Sequence, residues 1–492
     1  MQFEQVVGIQ RLIVPRADRV ATARSLNSLR CETLPQIRAA IRTRDPAEFS
    51  MVPQRAQPRT RGTRAAASQS STTPALARGA VRQQSAAEGE TTMKIAASLA
   101  AILLVLVPNL ARAAGPAAAG KPVRIALIED ETGPLEAYAK QSATGFRMGL
   151  EYATHGTGMV AGRKIVAIEK DSQNKPDLGR SLLEQAYSDD HADLAVGGTN
   201  SAVALAMLPV AQDYQKVLIV EPAVADSITG AKWNKYIFRT ARNSSQDAIS
   251  NALAIGKPGE VIATLAQDYA FGRDGVAAFR RALAATGAKL VHEEYAPPTT
   301  TDFTAPAQRI FDALAKQKGK KIIWVLWAGG NPLPKLAALD PQRLGITIDT
   351  GGNILPALAS YKAFPGMQGA TYYYYGIPKN PANDWLVAQH MKRFHQPPDF
   401  FTAGGMSAAM AVVTALSKTH GVTDAATLIP AMEGMSFETP KGTMMFRKQD
   451  HQALQSMYGF RITVDPKLPW AVPVLTRTFT IQDMNIPVEN NR

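Results

Sequence analysis

The fold is decided by residues 194–227, LAVGGTNSAVALAMLPVAQDYQKVLIVEPAVADS. Two short apolar runs, 194–196 and 217–220, are predicted as buried strands. A Gly-Gly-Thr-Asn-Ser turn and an apolar stretch with helical character separate them, which predicts a helix between two parallel strands. Ligands bind beyond the carboxyl ends of such strands, so the loops 197–202 and 221–227 are where a site is expected.

The same alternation of strands and helices continues on both sides of this stretch. Strands are predicted at 123–128, 164–169, 261–265, 289–295 and 322–327, and helices at 139–152, 178–187, 275–285 and 303–317. Farther on, an extended run at 371–375 precedes helices at 384–394, 404–417 and 425–435 and antiparallel strands around 458–464. The pattern indicates two α/β units in tandem, each a mostly parallel sheet flanked by helices.

Five short motifs follow one another in a fixed order. They are Gly133-Pro134 with Tyr138, the 197–202 turn whose helix ends in Pro-Val-Ala, Glu221-Pro222-Ala223, Phe238-Arg239-Thr240, and Asp268-Tyr269-Ala270-Phe271-Gly272. With them, the chain from Val123 to about Val474 resembles the branched-chain amino-acid-binding family of periplasmic proteins, the leucine/isoleucine/valine-binding type served by ABC transporters. The resemblance implies a two-lobed type I periplasmic binding protein, joined by crossover hinge strands, that closes on a small molecule and is then recognised by a permease in the inner membrane.

The resemblance also implies lobe boundaries and site residues. Lobe 1 is expected at 121–241 plus 374–440, and lobe 2 at 242–373 plus 441–486. The implied ligand-binding residues are Tyr138, Thr199, Asn200, Ser201, Ala223, Ala225, Phe271, Gly330, Asn331 and Asn353. In this set the turn at 199–201 offers hydroxyl, amide and backbone N–H groups to a ligand carboxylate. The alternative for that turn is an N-cap of the following helix, which is an equally common use of these residue types.

Three departures from the family pattern concern the ligand's ammonium group. Ala225 stands where leucine-type binders have a threonine, and Phe271 stands where they have a tyrosine. The loop 351–353 lacks the carboxylate that neutralises the ammonium. A buried ammonium without a partner is unfavourable by several kcal/mol, on the order of a lost ion pair. We therefore expect a carboxylate without an α-amino group, aromatic or aliphatic.

Some further residues have two interpretations. Three carboxylates follow first-lobe strands: Asp130, Glu131 and Glu221. In one interpretation they face the cleft and bind a cation or a polyol. In the other they point to solvent or pair with a basic side chain. Tyr269 lies in the second-lobe loop, and Tyr373 belongs to a run of four tyrosines expected on a crossover strand, where alternate rings face opposite sides. These rings contact the ligand or simply pack the hinge. Trp324 and Trp327 are predicted core residues.

A secretory signal peptide is predicted at 93–113. Met93-Lys94 is followed by an apolar run too short for a comfortable membrane span and by Ala111-Arg112-Ala113, with cleavage expected after Ala113. A short membrane anchor is the alternative. The 92 residues before Met93 contain 14 Arg and no Lys, and we interpret them as a wrongly assigned start or as a disordered basic arm.

Charge and motifs exclude several other classes of protein. Most of the formal charge of +13 lies in residues 1–113, and the rest of the chain has 38 basic and 34 acidic groups. That balance does not give the excess of basic residues that a nucleic-acid-binding protein needs. The one cysteine, Cys31, precedes the predicted cleavage site, so disulfides and thiolate metal sites are not expected in the exported chain. The sequence has no nucleophile elbow, P-loop or dinucleotide fingerprint. We expect a periplasmic binding protein without cofactor, metal or catalytic residues, serving either transport or a sensory receptor.

Overall fold

The apolar run 123–128 lies in one strand, β1 (Gly120–Glu129), inside a six-stranded sheet. The computed structural model describes residues 120–490, and its first sheet has the strand order β2-β3-β1-β4-β5-β6, parallel except for β2. Alternate residues of β1 are buried on opposite faces, as expected for a parallel sheet covered on both sides. The strands are β1 (Gly120–Glu129), β2 (Met159–Val160), β3 (Arg163–Asp171), β4 (Leu194–Gly197), β5 (Leu218–Val220) and β6 (Ile237–Arg239). The predicted signal peptide and the segment before it lie outside the described residues.

Helices cover both faces of this sheet. They are α1 (Glu136–Ala153), α2 (Pro176–Ser188) and α3 (Ser201–Asp213). The hydrophobic cluster that contains α1 lies on one face of the sheet, and the cluster that contains α2 and α3 lies on the other. The predicted β-α-β order of this unit is confirmed, with each predicted strand and helix found within a few residues of its expected bounds.

A second, four-stranded parallel sheet follows in the described chain, with the order β10-β9-β7-β8. Its elements are α4 (Ser244–Ile255), β7 (Glu260–Gln267), α5 (Ala270–Leu283), β8 (Lys289–Ala296), α6 (Thr304–Ala315), β9 (Lys320–Leu326), α7 (Leu333–Ala337), β10 (Ile346–Thr350) and α8 (Leu355–Tyr361). All eight residues of β7 are buried, because helices pack on both of its faces. The expected second α/β unit is therefore present.

The last part of the described chain forms two further antiparallel sheets of three strands each. Its elements are β11 (Gln368–Thr371), α9 (Pro381–Phe394), α10 (Phe400–Lys418), α11 (Ala425–Met432), β12 (Ser436–Phe437), β13 (Met444–Phe446), β14 (Ala453–Leu454), β15 (Met457–Thr463), β16 (Val472–Phe479) and α12 (Ile481–Met484). Strands β11, β15 and β16 form an antiparallel sheet. Side chains of β13 and β14 join the core beside the first sheet. The lobe boundaries given above stay a prediction.

The extended run expected at 371–375 is wrong in its extent. Strand β11 ends at Thr371, and the four tyrosines that follow are outside any strand. The Thr371 hydroxyl donates to the carbonyl of Tyr373 and accepts from its N–H, at 2.9 and 3.3 Å. These local bonds replace the ladder that a continued strand would need.

Helices α1 and α10 approach each other at glycines. A Cβ on Gly405 would lie 1.9 Å from the carbonyl oxygen of Ser142, and one on Gly145 would lie 2.0 Å from that of Thr402. Among the described helices, α10 is long and apolar enough to cross a membrane, but 89 % of its apolar window is buried inside the fold, as in a core helix. This contact fixes the first turns of both helices, which carry Tyr138 and Phe401.

Candidate functional site

A cavity opens at the carboxyl ends of the strands of both parallel sheets. The space in it that is open to the centres of water molecules is about 80 Å³. Loops after β4, β5 and β6 form one wall, and loops after β7, β9 and β10 form the other. Seven residues singled out from the sequence line it: Tyr138, Thr199, Ser201, Ala223, Tyr269, Phe271 and Asn353. This is the edge at which open parallel sheets bind ligands.

The turn before α3 caps the helix and also faces the cavity. The Asn200 side chain accepts from the N–H of Ala202 at 2.7 Å and donates to Asn174, so it serves as the N-cap and is not part of the lining. The Ser201 hydroxyl accepts from the N–H of Ala225 at 3.2 Å. Because that bond occupies a lone pair of the oxygen, the hydroxyl proton of Ser201 is left for an acceptor in the cavity.

The acidic residues after β1 lie behind the cavity. Glu129, which the sequence reasoning missed, is buried and accepts from the hydroxyls of Thr199 and Ser142. Asp130 is buried and accepts from the N–H of Asn200 at 2.6 Å and from the Ser172 hydroxyl. Burial raises the pKa of both carboxyl groups. They hold the 197–200 turn in place, and neither belongs to the lining.

Glu131 and Glu221 are also outside the lining. Glu131 is half-buried, and burial raises its pKa. Glu221 is buried, accepts from the Thr240 hydroxyl at 2.9 Å and has its pKa raised by burial against the opposing effect of Lys441. Burial lowers the pKa of Lys441 to about 8. Within residues 120–490, no group of three or more His, Cys, Asp or Glu side chains is arranged to hold a metal ion.

The hydroxyl of Tyr138 joins the two walls of the cavity. It donates to Asn353 Oδ1 and accepts from the N–H of Gly329, both at 3.1 Å. Its ring lies 4.4 Å from that of Phe401, centroid to centroid, and burial raises the pKa of the phenol. Tyr138 on α1 is therefore bonded to the loops that follow β9 and β10, which belong to the second sheet.

Four predicted site residues lie elsewhere. Gly330 is exposed, and Asn331 bonds to Ser360 and accepts from the N–H of Leu333 at the start of α7. Ala225 is buried behind Ser201, and its carbonyl accepts from Arg239 at 2.6 Å. The fourth, Tyr373, donates to Asn383 at 2.8 Å. None of the four is part of the cavity lining.

Arg242 is the main lining residue that sequence reasoning missed. It follows β6, is 8 % exposed, and donates through Nε to Asp247 at 3.2 Å. Its guanidinium lies over the rings of Tyr372, Phe400 and Phe401, at 4.8 to 5.8 Å from their centroids. No described residue accepts from its two terminal nitrogens. The one feature of the sequence that could have identified Arg242 as a site residue is its position just beyond the carboxyl end of strand β6.

Aromatic side chains make up much of the rest of the lining. Trp324 and Trp327, predicted as core residues, pack in the core of the second sheet and also line the cavity, together with Phe400 and Phe401. The site is thus a mostly apolar space with one ion pair and a few hydrogen-bonding groups, which is the composition of a small-molecule pocket.

Comparison with known proteins agrees with this geometry. The periplasmic binding protein family model matches residues 122–467. The chain is 67 % identical to a protein of Rhodopseudomonas palustris CGA009 described as an ABC-type branched-chain amino acid transporter, whose structure covers 75 % of this chain and all of that one with a TM-score of 0.68. A solute-binding protein of an ABC transporter from R. palustris BisB5, solved with 3,4-dihydroxybenzoic acid, is 28 % identical over 73 % of this chain and 97 % of that one, with a TM-score of 0.65.

A curated relative points the same way. Leu/Ile/Val-binding protein homolog 6 of Brucella melitensis biotype 1 is 23 % identical over 359 residues, which are 70 % of this chain and 88 % of that protein. Members of this family bind small molecules in the periplasm and work with the permeases of ABC transporters. The chain belongs to the periplasmic binding protein family and is a solute-binding protein of an ABC transporter.

Proposed function

We propose that this protein captures a carboxylic acid without an α-amino group, most simply an aromatic one, and delivers it to the permease of an uptake transporter. The observation that carries the proposal is the Arg242–Asp247 pair in the cavity lining. The pair leaves the terminal nitrogens of a guanidinium for a ligand and leaves no unpaired carboxylate among the lining residues. A guanidinium of this kind suits the planar geometry of a carboxylate.

A second group of donors supports an acid ligand. Ser201 is the first residue of α3, where unpaired N–H groups and the positive end of the helix dipole favour an anion. Its hydroxyl proton is free to join them, because its oxygen already accepts from Ala225. The loops that carry Ser201 and Arg242 both follow strands of the first sheet, so one carboxylate within reach of both loops meets donors of two kinds.

The same lining disfavours an amino acid. An α-ammonium would find Asp247 already paired with Arg242, and burial raises the pKa of that carboxyl against the pull of the guanidinium. Phe271 offers no hydroxyl, and Asn353 Oδ1 already accepts from Tyr138. Burying an ammonium without a partner is unfavourable by several kcal/mol, on the order of the desolvation of one ion. The 28 % identical relative solved with 3,4-dihydroxybenzoic acid supports an aromatic acid.

Binding proceeds by closure of the second lobe over a ligand docked on the first. Contacts between elements of the two sheets support this mechanism. Besides the Tyr138 bridge, Ser227 donates its N–H and hydroxyl to Asp274 on α5, at 3.0 and 2.8 Å. Asp399, which caps α10, accepts from the N–H of Leu355 at the start of α8 at 2.9 Å. The closed form is the one that the permease recognises.

Isothermal titration of the purified chain with benzoate and with leucine tests the proposal. We expect benzoate or a substituted benzoate to bind and leucine to bind far more weakly. Arg242→Met should weaken acid binding at least tenfold, since it removes a charged hydrogen-bonding group. Arg180→Met on the exposed face of α2 is the matched control and should leave the affinity unchanged. Tight leucine binding with no acid bound would reject the proposal.

A further inference from the structure

Lys441 is a buried cation without a hydrogen-bond partner. It lies in the loop between β12 and β13 and is 3 % exposed. Among the residues that the structure describes, none accepts a hydrogen bond from its Nζ. Burying an ammonium group is unfavourable unless the group is paired, which favours the neutral amine at such a position. Burial accordingly lowers the pKa of Lys441 to about 8.

Lys441 contacts the same aromatic ring as the cation of the ligand cavity. Its Nζ lies 4.7 Å from the ring centroid of Tyr372, and the guanidinium carbon of Arg242 lies 4.8 Å from that centroid. The two positive charges are therefore within about 10 Å of each other. The ring itself is fixed, because the buried Tyr372 hydroxyl donates to the carbonyl of Phe400 at 2.7 Å. Little solvent screens two buried charges at this distance, so a change at one is felt at the other.

Two charged groups of the described chain act on Lys441, with opposite effects. The carboxylate of Glu221, in the loop after β5, favours the ammonium form, and the guanidinium of Arg242 disfavours it. Asp247 of α4 is paired with Arg242. A carboxylate bound to Arg242 would add a negative charge to this group without bringing a cation, and the balance at Lys441 would move toward the ammonium form.

The other titratable neighbours keep one protonation state. Burial raises the pKa of the phenols of Tyr372 and Tyr458, so both stay neutral near pH 8. The Tyr458 hydroxyl, on β15, donates to the carbonyl of Lys441 at 3.2 Å. Glu438, in the same loop as Lys441, is exposed and accepts from the Thr443 hydroxyl at 2.8 Å. A proton taken up near pH 8 therefore has Lys441 as its site.

We propose that the protein binds a proton at Lys441 together with its acid cargo, an inference that rests on the function proposed above. A ligand carboxylate at the terminal nitrogens of Arg242 offsets the repulsion between the two cations. The neutral amine of Lys441 then takes a proton from water and becomes an ammonium ion, and no other bond changes. The charge of the cargo is partly balanced inside the protein, and binding is tighter at lower pH because the complex holds the proton more firmly than the free protein.

Titration of the wild-type chain with benzoate is the first test, because the benzoate carboxylate stays ionised near pH 8. One negative charge at roughly 10 Å makes the ammonium form about tenfold more favourable. This factor predicts an uptake of about 0.4 proton per ligand at pH 8 and an affinity about fivefold weaker at pH 9 than at pH 7. Calorimetry in HEPES and in Tris measures the proton, since the two buffers release protons with different heats. Equal binding heats in both buffers at pH 8 and an affinity independent of pH would overturn the inference.

Two lysine variants then locate the proton. Lys441→Met replaces the ammonium group with an apolar chain of similar length, which a buried site accommodates. We expect it to take up no proton and to bind benzoate equally at pH 7 and pH 9, at the weaker level that the wild type approaches at high pH. Lys392→Met, at an exposed position of α9, is the matched control and should keep both effects. Thermal melting checks that each variant folds.

Glu221→Gln tests the other buried group beside Arg242 that could take the proton. Without the carboxylate the neutral amine is favoured further, so the uptake should persist at a lower pH. Uptake that survives Lys441→Met and disappears in Glu221→Gln would contradict the assignment to Lys441. Absence of benzoate binding at every pH would refute the proposed function, whereas binding without proton uptake would refute only this inference.

Discussion

The contact between α1 and α10 makes a sharp prediction for Gly405→Ala. The new Cβ would lie 1.9 Å from the carbonyl oxygen of Ser142, where real contacts are at least 3.0 Å. The clash is with backbone on a buried helix, so no side chain can swing aside, and the helices must separate by about 1.1 Å at this point. Overpacking of a core costs about 1–3 kcal/mol, and we expect the upper end of that range.

The matched control is Gly330→Ala. A Cβ at Gly330 meets no atom within 4 Å, and its backbone is not in the left-handed region. We therefore expect a change in the free energy of unfolding within about 0.5 kcal/mol for the control, as for most surface substitutions. Urea unfolding followed by circular dichroism measures both free energies, and in a thermal scan Gly405→Ala should lower the melting temperature by roughly 3–4 °C.

The same substitution should weaken ligand binding. Tyr138 and Phe401 line the cavity from the first turns of α1 and α10, so a separation of the helices moves both rings. If Gly405→Ala unfolds with the wild-type midpoint and binds with wild-type affinity, the close approach of these helices is wrong and so is the reasoning that places the two rings by it.

Three further results are expected. Burial raises the pKa of Asp399 to about 6, above the unfolded value of 3.8, so the folded state binds the proton more tightly. The free energy of unfolding should therefore fall by up to about 3 kcal/mol as the pH rises from 4 to 6. Asp399→Asn should remove that part of the slope in urea unfolding between pH 4 and 7, and an unaltered slope would mean another group titrates. Phe146→Ala empties a fully buried position and should cost about 3–5 kcal/mol in the same assay, while a loss below 1 kcal/mol would mean that the core there can collapse. Ser201→Ala should weaken acid binding about tenfold in titration calorimetry, and an unchanged affinity would exclude its hydroxyl from the site.

The sequence predicts the parallel sheets well for a physical reason. Runs such as 123–128 and 261–265 are apolar at nearly every position, because both faces of their strands are covered. The cap at Asn200 is equally local, since it depends on residues next to one another in the chain. Such features need no knowledge of distant contacts.

The parts that the sequence did not predict depend on contacts across the chain. Arg242 resembles an ordinary surface arginine until rings from 372 and 400–401 cover it. The end of β11 is set by the bonds of the Thr371 hydroxyl to the backbone, which compete with the β-ladder. Trp324 is a core residue, as predicted, but its place at the edge of the cavity follows only from how α4 packs against β9.

The bridge from Tyr138 to Gly329 has a practical consequence. The Tyr138 hydroxyl joins the two walls of the cavity through its bond to Gly329. Gly330, which follows Gly329 in the chain, is exposed and has free space around it. The chain's one cysteine, Cys31, lies far upstream of the described residues. In a chain that starts after the predicted cleavage site and so lacks Cys31, Gly330→Cys would offer a single attachment point for an environment-sensitive dye at the junction. The dye's fluorescence would then report the opening and closing of the protein as an optical signal for its cargo.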